Sequence, residues 1–128
     1  MYKILENLRY AKTHEWVEFI SDTTIRIGIS DYAQQAIGDL VFINLPEAGD
    51  TVTAGQTFGD LESVKAVFDI LSPVTGIVTA VNQAVIDQPV LINENPYENW
   101  FIEVNNITTE ADLMTATEYE EFCAKEAH

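Results

Sequence analysis

The sequence has few of the residues that most often build enzyme active sites and metal centres. Its 128 residues include one cysteine and two histidines, and one of these, His128, is the terminal residue. A His-centred triad or a His/Cys metal cage would have almost no side chains to use, so we expect no catalytic residue and no metal site. Cys123 has no partner for an intrachain disulfide, which is typical of a reducing compartment.

Basic residues and long apolar runs are also scarce. Six Lys and Arg stand against 21 Asp and Glu, giving a net charge of -15. Phosphate backbones and anionic membranes repel such a chain, so we expect no nucleic-acid or membrane partner, and we predict contacts with basic protein surfaces and a monomer. The alternative is that acidity serves solubility alone. The first twelve residues lack the apolar run of a signal peptide.

Period-two patterns predict a mainly β chain. Residues 15–19 and 24–29 predict a hairpin, and residues 40–45 and 100–104 predict further strands. Ser30-Asp31 predicts the start of a short helix that Gly38 ends.

The C-terminal part predicts a helical segment over about 109–127. Thr109-x-x-Asp112 and Thr117-x-x-Glu120 resemble capping boxes. Tyr119, Phe122 and Cys123 would share one apolar face, with Cys123 as a core or interface residue. No linker is evident, so residues 1–128 are predicted to form a single domain.

One lysine stands apart from the others. Lys65 is the only lysine between Lys12 and Lys125. It lies between two similar segments, Pro46-x-x-Gly49 followed by Val52-Thr53-Ala54 and Pro73-x-x-Gly76 followed by Val78-Thr79-Ala80, which suggest two equivalent halves, unless chance explains them. The flanking segments predict a hairpin over about 56–71 that presents the amine, although an ordinary surface lysine is the alternative.

Several segments of this sequence match a known family in order and spacing. Residues 62–66, Glu-Ser-Val-Lys-Ala, with Gly-Asp before them and Ser-Pro-Val-Thr-Gly after them, resemble the lipoyl-attachment region of the glycine cleavage system H protein. Further matches are His14-Glu15-Trp16-Val17, residues 28–34, residues 38–42, Leu45-Pro46, Leu91-Ile92-Asn93, Pro96-Tyr97 and residues 118–122. A biotin carrier would be expected to show Met beside its lysine.

The resemblance implies a fold and a set of site residues. The fold would be a flattened β-barrel of the biotinyl/lipoyl-carrier type, a barrel-sandwich hybrid, with short helices. Lys65 would carry lipoate in amide linkage, and Glu62 and Gly76 match the attachment-site recognition features; for Gly76 a turn with positive φ is the alternative. Thr13, Glu15 and Asp69 match a cleft that shelters the arm, the alternative being solvated polar side chains.

By the same resemblance, the chain is a carrier and not an enzyme. It would take an aminomethyl group from a PLP-dependent glycine decarboxylase to a tetrahydrofolate-dependent aminomethyltransferase, and dihydrolipoamide dehydrogenase would then reoxidise it. A lipoate-attaching enzyme is a further partner, and the compartment would be the bacterial cytoplasm or the mitochondrial matrix. Two alternatives stay open, an H-protein-like lipoyl relay that donates lipoyl groups to other lipoate-dependent complexes and an unmodified interaction module.

The sequence departs from the family at one loop. Many members read Pro-Tyr-Gly-x-Gly-Trp, whereas Pro96-Tyr97-Glu98-Asn99-Trp100 is one residue shorter and has no glycine. We therefore expect this loop to follow a different path.

Overall fold

The computed structural model describes residues 2–126, which fold mainly into β-strands. The strands are β1 (Arg9–Ala11), β2 (Glu15–Phe19), β3 (Ile25–Ile29), β4 (Leu40–Asn44), β5 (Thr51–Val52), β6 (Thr57–Ser63), β7 (Val67–Leu71), β8 (Val74–Val81), β9 (Ile102–Glu110) and β10 (Leu113–Met114). The helices are α1 (Asp31–Ile37), α2 (Gln83–Asp87), α3 (Val90–Glu94) and α4 (Ala116–Glu126). Within residues 2–126, every helix is too short or too polar to cross a membrane.

The strands form two antiparallel sheets. The larger has seven strands in the order β10-β1-β2-β3-β9-β8-β5, and the smaller has three in the order β4-β6-β7. Apolar side chains from both sheets, such as Ile27, Leu61 and Val104, pack into one core. The sheets are not joined into a closed barrel, so the fold is an open barrel-sandwich arrangement, which confirms the predicted fold class.

Helix α1 forms where its sequence signals predict it. The Ala33 amide donates to the Ser30 hydroxyl at 3.1 Å, which is an N-cap bond. Gly38 ends the helix at φ 88°. The Asn93 side chain donates to the Gly38 carbonyl at 2.9 Å and accepts from the Leu40 amide at 2.9 Å, so α3 holds the turn between α1 and β4 in place.

The predicted start of the C-terminal helix near residue 109 is wrong. Thr109 lies in β9, opposite Thr75 of β8. Its backbone groups are used in strand pairing and are therefore not available for helical hydrogen bonds. Helix α4 begins at Ala116, where the Glu118 amide donates to the Thr115 hydroxyl at 3.2 Å and the Thr115 amide donates to the Glu118 carboxylate at 2.9 Å. This is a capping box that begins six residues after Thr109 and two residues before Thr117, the two predicted positions. The predicted end at residue 127 lies outside the described residues.

The two Pro-x-x-Gly segments do not form equivalent turns. Gly49 lies in a turn at φ 99°, whereas Gly76 lies within β8 opposite Val52 of β5. A Cβ atom on Gly76 would approach the Asn105 carbonyl oxygen to 2.6 Å. The close approach of β9 therefore requires glycine at this position, and the positive-φ alternative is wrong.

Candidate functional site

The hairpin of β6 and β7 presents Lys65 at its tip. The Ser63 amide donates to the Ala66 carbonyl at 2.9 Å, which closes a two-residue turn of Val64 and Lys65. The Ser63 hydroxyl oxygen accepts from the Lys65 amide at 3.2 Å and from the Ala66 amide at 3.3 Å. Serine thus supplies the hydrogen bonds that shape this turn, which has none of the Asn or Gly residues usual in hairpins. Lys65 is exposed.

The two predicted recognition residues lie on different sheets. Glu62 is half-buried in β6, directly opposite Phe42 of β4 and Val67 of β7. Gly76 lies in β8 of the larger sheet. Glu62 therefore belongs to the surface that carries Lys65, whereas the packing of β8 against β9 already accounts for Gly76.

A cavity of about 270 Å³ lies beside β7. Its walls are mostly apolar and come from β3, α1, β6 and β7, with Ile29, Leu61 and Phe68 among them. Thr13, Glu15 and Asp69, the three residues predicted to share a cleft, all line it. A small apolar chamber with carboxylates in its wall can hold a hydrocarbon chain that ends in a cation.

Glu15 is the buried polar group of this cavity. Its side chain is only 2% exposed, so the solvated alternative is wrong for Glu15, whereas Thr13 and Asp69 are exposed. The Thr13 hydroxyl donates to Glu15 Oε1, and the Leu71 amide donates to Oε2 at 3.2 Å. Burial outweighs these hydrogen bonds and raises the pKa of Glu15 from 4.5 to about 7. The group therefore takes or gives a proton near neutral pH.

Two side chains of the cavity lining, His14 and Glu126, belong to a hydrogen-bonded cluster that the sequence did not predict. His14, at φ 78°, places its Nδ1 2.7 Å from the Tyr119 hydroxyl and its Nε2 3.1 Å from a Glu126 carboxylate oxygen. The Tyr119 hydroxyl lies 2.6 Å from the Ser30 hydroxyl. These contacts attach both ends of α4 to the cavity wall. Only the apolar face predicted around Tyr119 indicated that α4 packs onto the rest of the chain.

A model of the glycine cleavage H-protein family matches residues 8–126. The chain belongs to the glycine cleavage H-protein family. It is 52% identical over 124 residues to the glycine cleavage system H protein of Lachnoclostridium phytofermentans, covering 97% of this chain and 98% of that protein. It is 48% identical over 118 residues to the H protein of Streptomyces avermitilis, covering 91% and 94%.

A solved structure of the same family has the same fold. The crystal structure of a glycine cleavage system H protein from Mycobacterium marinum aligns with a TM-score of 0.88 at 36% identity, covering 98% of this chain and 100% of that chain. H-family members are carrier proteins, and this chain is therefore a carrier and not an enzyme.

Proposed function

We propose that this H-family member is the shuttle of glycine cleavage and that it carries lipoate in amide linkage on Lys65. Lipoate held on Lys65 would supply a dithiolane able to accept the aminomethyl group of glycine, as CO2 leaves, at a PLP-dependent glycine decarboxylase. A tetrahydrofolate-dependent aminomethyltransferase would then take the methylene and release ammonia, leaving a dithiol for dihydrolipoamide dehydrogenase to reoxidise. The bacterial relatives favour the bacterial cytoplasm over the mitochondrial matrix.

The observation that carries this proposal is the presentation of Lys65. Its turn is held by Ser63, and its side chain is exposed at the end of two paired strands. A long stem ending in a primary amine is the acceptor that an attaching enzyme needs. Glu62, three residues earlier on the same hairpin, is the residue we propose that this enzyme recognises. Gly76 is proposed as a second recognition residue only because it matches the family's recognition features.

We further propose that the cavity shelters the distal end of the arm. Its apolar walls suit hydrocarbon, and Glu15, Thr13 and Asp69 are among the polar groups of the lining that an ammonium could contact. Burial keeps the pKa of Glu15 near 7 in the free protein, and a cation beside it would favour the carboxylate form. The Glu15 carboxylate would then place a negative charge beside the ammonium group.

Intact-mass measurement after incubation with lipoate ligase, lipoate and ATP tests the attachment site. We expect one lipoyl addition, placed at Lys65 by peptide mapping, and none in Lys65→Arg. An unmodified wild-type chain, shown to be folded and tested with a ligase active on a standard acceptor, would contradict the proposal and favour an unmodified interaction module.

A second assay separates glycine cleavage from lipoyl relay. The lipoylated protein is incubated with glycine decarboxylase, and exchange of labelled CO2 into glycine is followed. We expect exchange that depends on lipoylation. A fully lipoylated protein that supports no exchange would contradict the shuttle function and favour the relay.

A further inference from the structure

His14 adopts a backbone conformation that residues with side chains rarely take. It is one of two non-glycine residues with positive φ in the described part of the chain, and it ends the three-residue loop, 12–14, that joins β1 to β2. The His14 amide donates to the Ala11 carbonyl at 3.0 Å, and the His14 carbonyl accepts from the Ser30 amide at 2.9 Å. Hairpin loops of this length usually have glycine at the position with positive φ, because glycine takes it without strain. The side chain of His14 must therefore offset a cost that glycine would avoid.

The His14 ring is held on three sides. Its Nδ1 lies 2.7 Å from the Tyr119 hydroxyl, its Nε2 lies 3.1 Å from a Glu126 carboxylate oxygen, and its centroid lies 5.0 Å from that of Tyr32 of α1. Tyr119 is itself fixed, since it is fully buried and its ring stacks on Tyr10 of β1 with centroids 4.3 Å apart. Helix α4 thus supports the loop at two points, and these contacts keep the strained conformation in place.

The two neighbours of His14 in the chain meet in the cavity wall. Thr13 precedes it and Glu15 follows it, and the Thr13 hydroxyl donates to Glu15 Oε1. All three residues line the cavity. A residue with positive φ at the end of a strand changes the direction of the side chains beside it, which is a common device next to functional sites. The conformation of His14 therefore determines how Thr13 and Glu15 face each other and the cavity.

We infer that His14 is a positioning residue, through which helix α4 holds Thr13 and Glu15 in the cavity wall. The inference deepens the proposed function and rests on it only for the role of the cavity in sheltering the arm. A cation that reaches Glu15 meets a carboxyl group whose orientation is already fixed, so less conformational freedom is lost on binding. If the loop needed positive φ and nothing more, glycine would serve as well as histidine.

Three substitutions separate the contacts with α4 from the loop conformation. His14→Gly accepts positive φ and removes both contacts with α4. His14→Asn also tolerates positive φ, and its side-chain amide lies as many bonds from Cα as Nδ1 does, so it retains the contact with Tyr119 and loses the one with Glu126. Tyr119→Phe removes the hydroxyl group and leaves the ring. Tyr10→Phe is the matched control, because it removes a hydroxyl from the same stacked pair, where that hydroxyl bonds to the Leu5 backbone.

The measurement is the titration of the Glu15 side-chain carboxyl carbon, followed by ¹³C NMR in the unmodified protein. Burial raises the pKa of Glu15 to about 7, and a carboxyl group released from the wall gains access to water, which lowers its pKa. We expect the midpoint to fall by about one pH unit in His14→Gly. The fall should be smaller in His14→Asn and in Tyr119→Phe, since each keeps part of the support. Tyr10→Phe should titrate like the wild type.

The sign of the shift separates positioning from a direct charge effect. The other titratable side chains that line the cavity come from the loop, α1, β7 and α4, and they are His14, Tyr32, Asp69 and Glu126. Loss of a positive charge on the imidazole would by itself raise the pKa of Glu15. An unchanged or raised midpoint in His14→Gly therefore overturns the inference, as does an equal fall in Tyr119→Phe and Tyr10→Phe. Thermal unfolding confirms that each variant is folded at the temperature of the titration.

The loaded proteins test the link with the arm. Ammonia release from loaded His14→Gly should be faster than from the wild type and slower than from Glu15→Ala, because the carboxylate is displaced and not removed. A lowered Glu15 midpoint with an unchanged release rate would support the positioning role and contradict the proposed sheltering of the arm. Because the titration uses the unmodified protein, it tests His14 whether or not Lys65 is lipoylated.

Discussion

At the scale of single residues, the main difference between expectation and structure is the burial of Glu15, for which the sequence left a solvated side chain open. Residues 15–19 alternate as a strand, so Glu15 shares a face with Val17, which is fully buried. Burial raises the pKa of Glu15 to about 7, and two predictions follow from that carboxyl group.

Replacing Glu15 with Gln is expected to remove a pH dependence from the free energy of unfolding. The folded protein binds this proton more tightly than the unfolded chain, since the pKa of Glu15 rises from 4.5 to about 7 on folding. The stabilisation is fully present below the unfolded pKa and is lost as pH rises through the folded pKa. Relative to Glu15→Gln, the wild type should lose on the order of 3 kcal/mol across that range. Urea unfolding at several pH values measures this, and a pH-independent difference would contradict the raised pKa.

Replacing Glu15 with Ala is expected to shorten the lifetime of the aminomethyl group on the loaded protein. The cavity would lose the buried carboxylate proposed to hold the ammonium, so release should be about tenfold faster. Ammonia release from the isolated loaded protein measures the rate. Glu18→Ala, on the same strand but outside the cavity lining, is the control. A lifetime equal to that of the wild type would remove Glu15 from this role.

Lys65 and His14 show which functional residues can be predicted from the sequence and which cannot. Lys65 was identifiable because it is the only lysine in the central part of the chain and lies in a matching segment. His14 gave no such signal, because its partners Tyr119 and Glu126 lie more than a hundred residues along the chain. Only the folded chain brings these three side chains together.

At the level of elements, those with a clear period or caps were predictable, whereas the shortest elements and the second half of the longest strand, β9, were not. Strands β2 and β3 and helix α1 lie close to their predicted bounds, because each has a clear period and α1 has caps at both ends. Strands β5 and β10 have two residues each, and helices α2 and α3 have five each, which is too short for a period to be recognised.

Helix α4 shows why a capping pattern alone does not fix a boundary. The segment contains Thr-x-x-acid patterns at Thr109, Thr115 and Thr117, and only Thr115 caps the helix. The pairing of β9 with β8 excludes Thr109, and this long-range contact is invisible in the local sequence. Tertiary structure therefore decides which of the three threonines caps α4.

Replacing Thr115 with Ala is expected to destabilise the protein by about 1 kcal/mol, because the Glu118 amide loses its acceptor. Urea denaturation monitored by circular dichroism measures the loss. Thr117→Ala changes the neighbouring threonine within the helix and should cost much less. Equal losses in the two variants would show that the capping box does not stabilise α4.

For the whole molecule, the net charge of -15 is the dominant electrostatic feature. It favours encounter with basic surfaces and opposes self-association, so we predict a monomer. The KM of glycine decarboxylase for the lipoylated protein should rise about tenfold between about 0.05 and 0.5 M salt, since screening weakens charge attraction. The KM for glycine, measured in the same assay, controls for effects of salt on the enzyme. If the KM for the carrier does not change with salt, the prediction is wrong, and the acidic residues serve solubility instead.

The hydrogen bond from the Leu71 amide to Glu15 joins the two sheets, since Leu71 ends β7 of the smaller sheet and Glu15 begins β2 of the larger one. The Leu71 amide proton is therefore a spectroscopic reporter of the cavity. In ¹H–¹⁵N NMR spectra we expect the Leu71 amide resonance to titrate with a midpoint near pH 7 in the unmodified protein. A guest cation beside Glu15 should shift that midpoint to lower pH. One backbone resonance would then distinguish a loaded cavity from an empty one without any label on the arm.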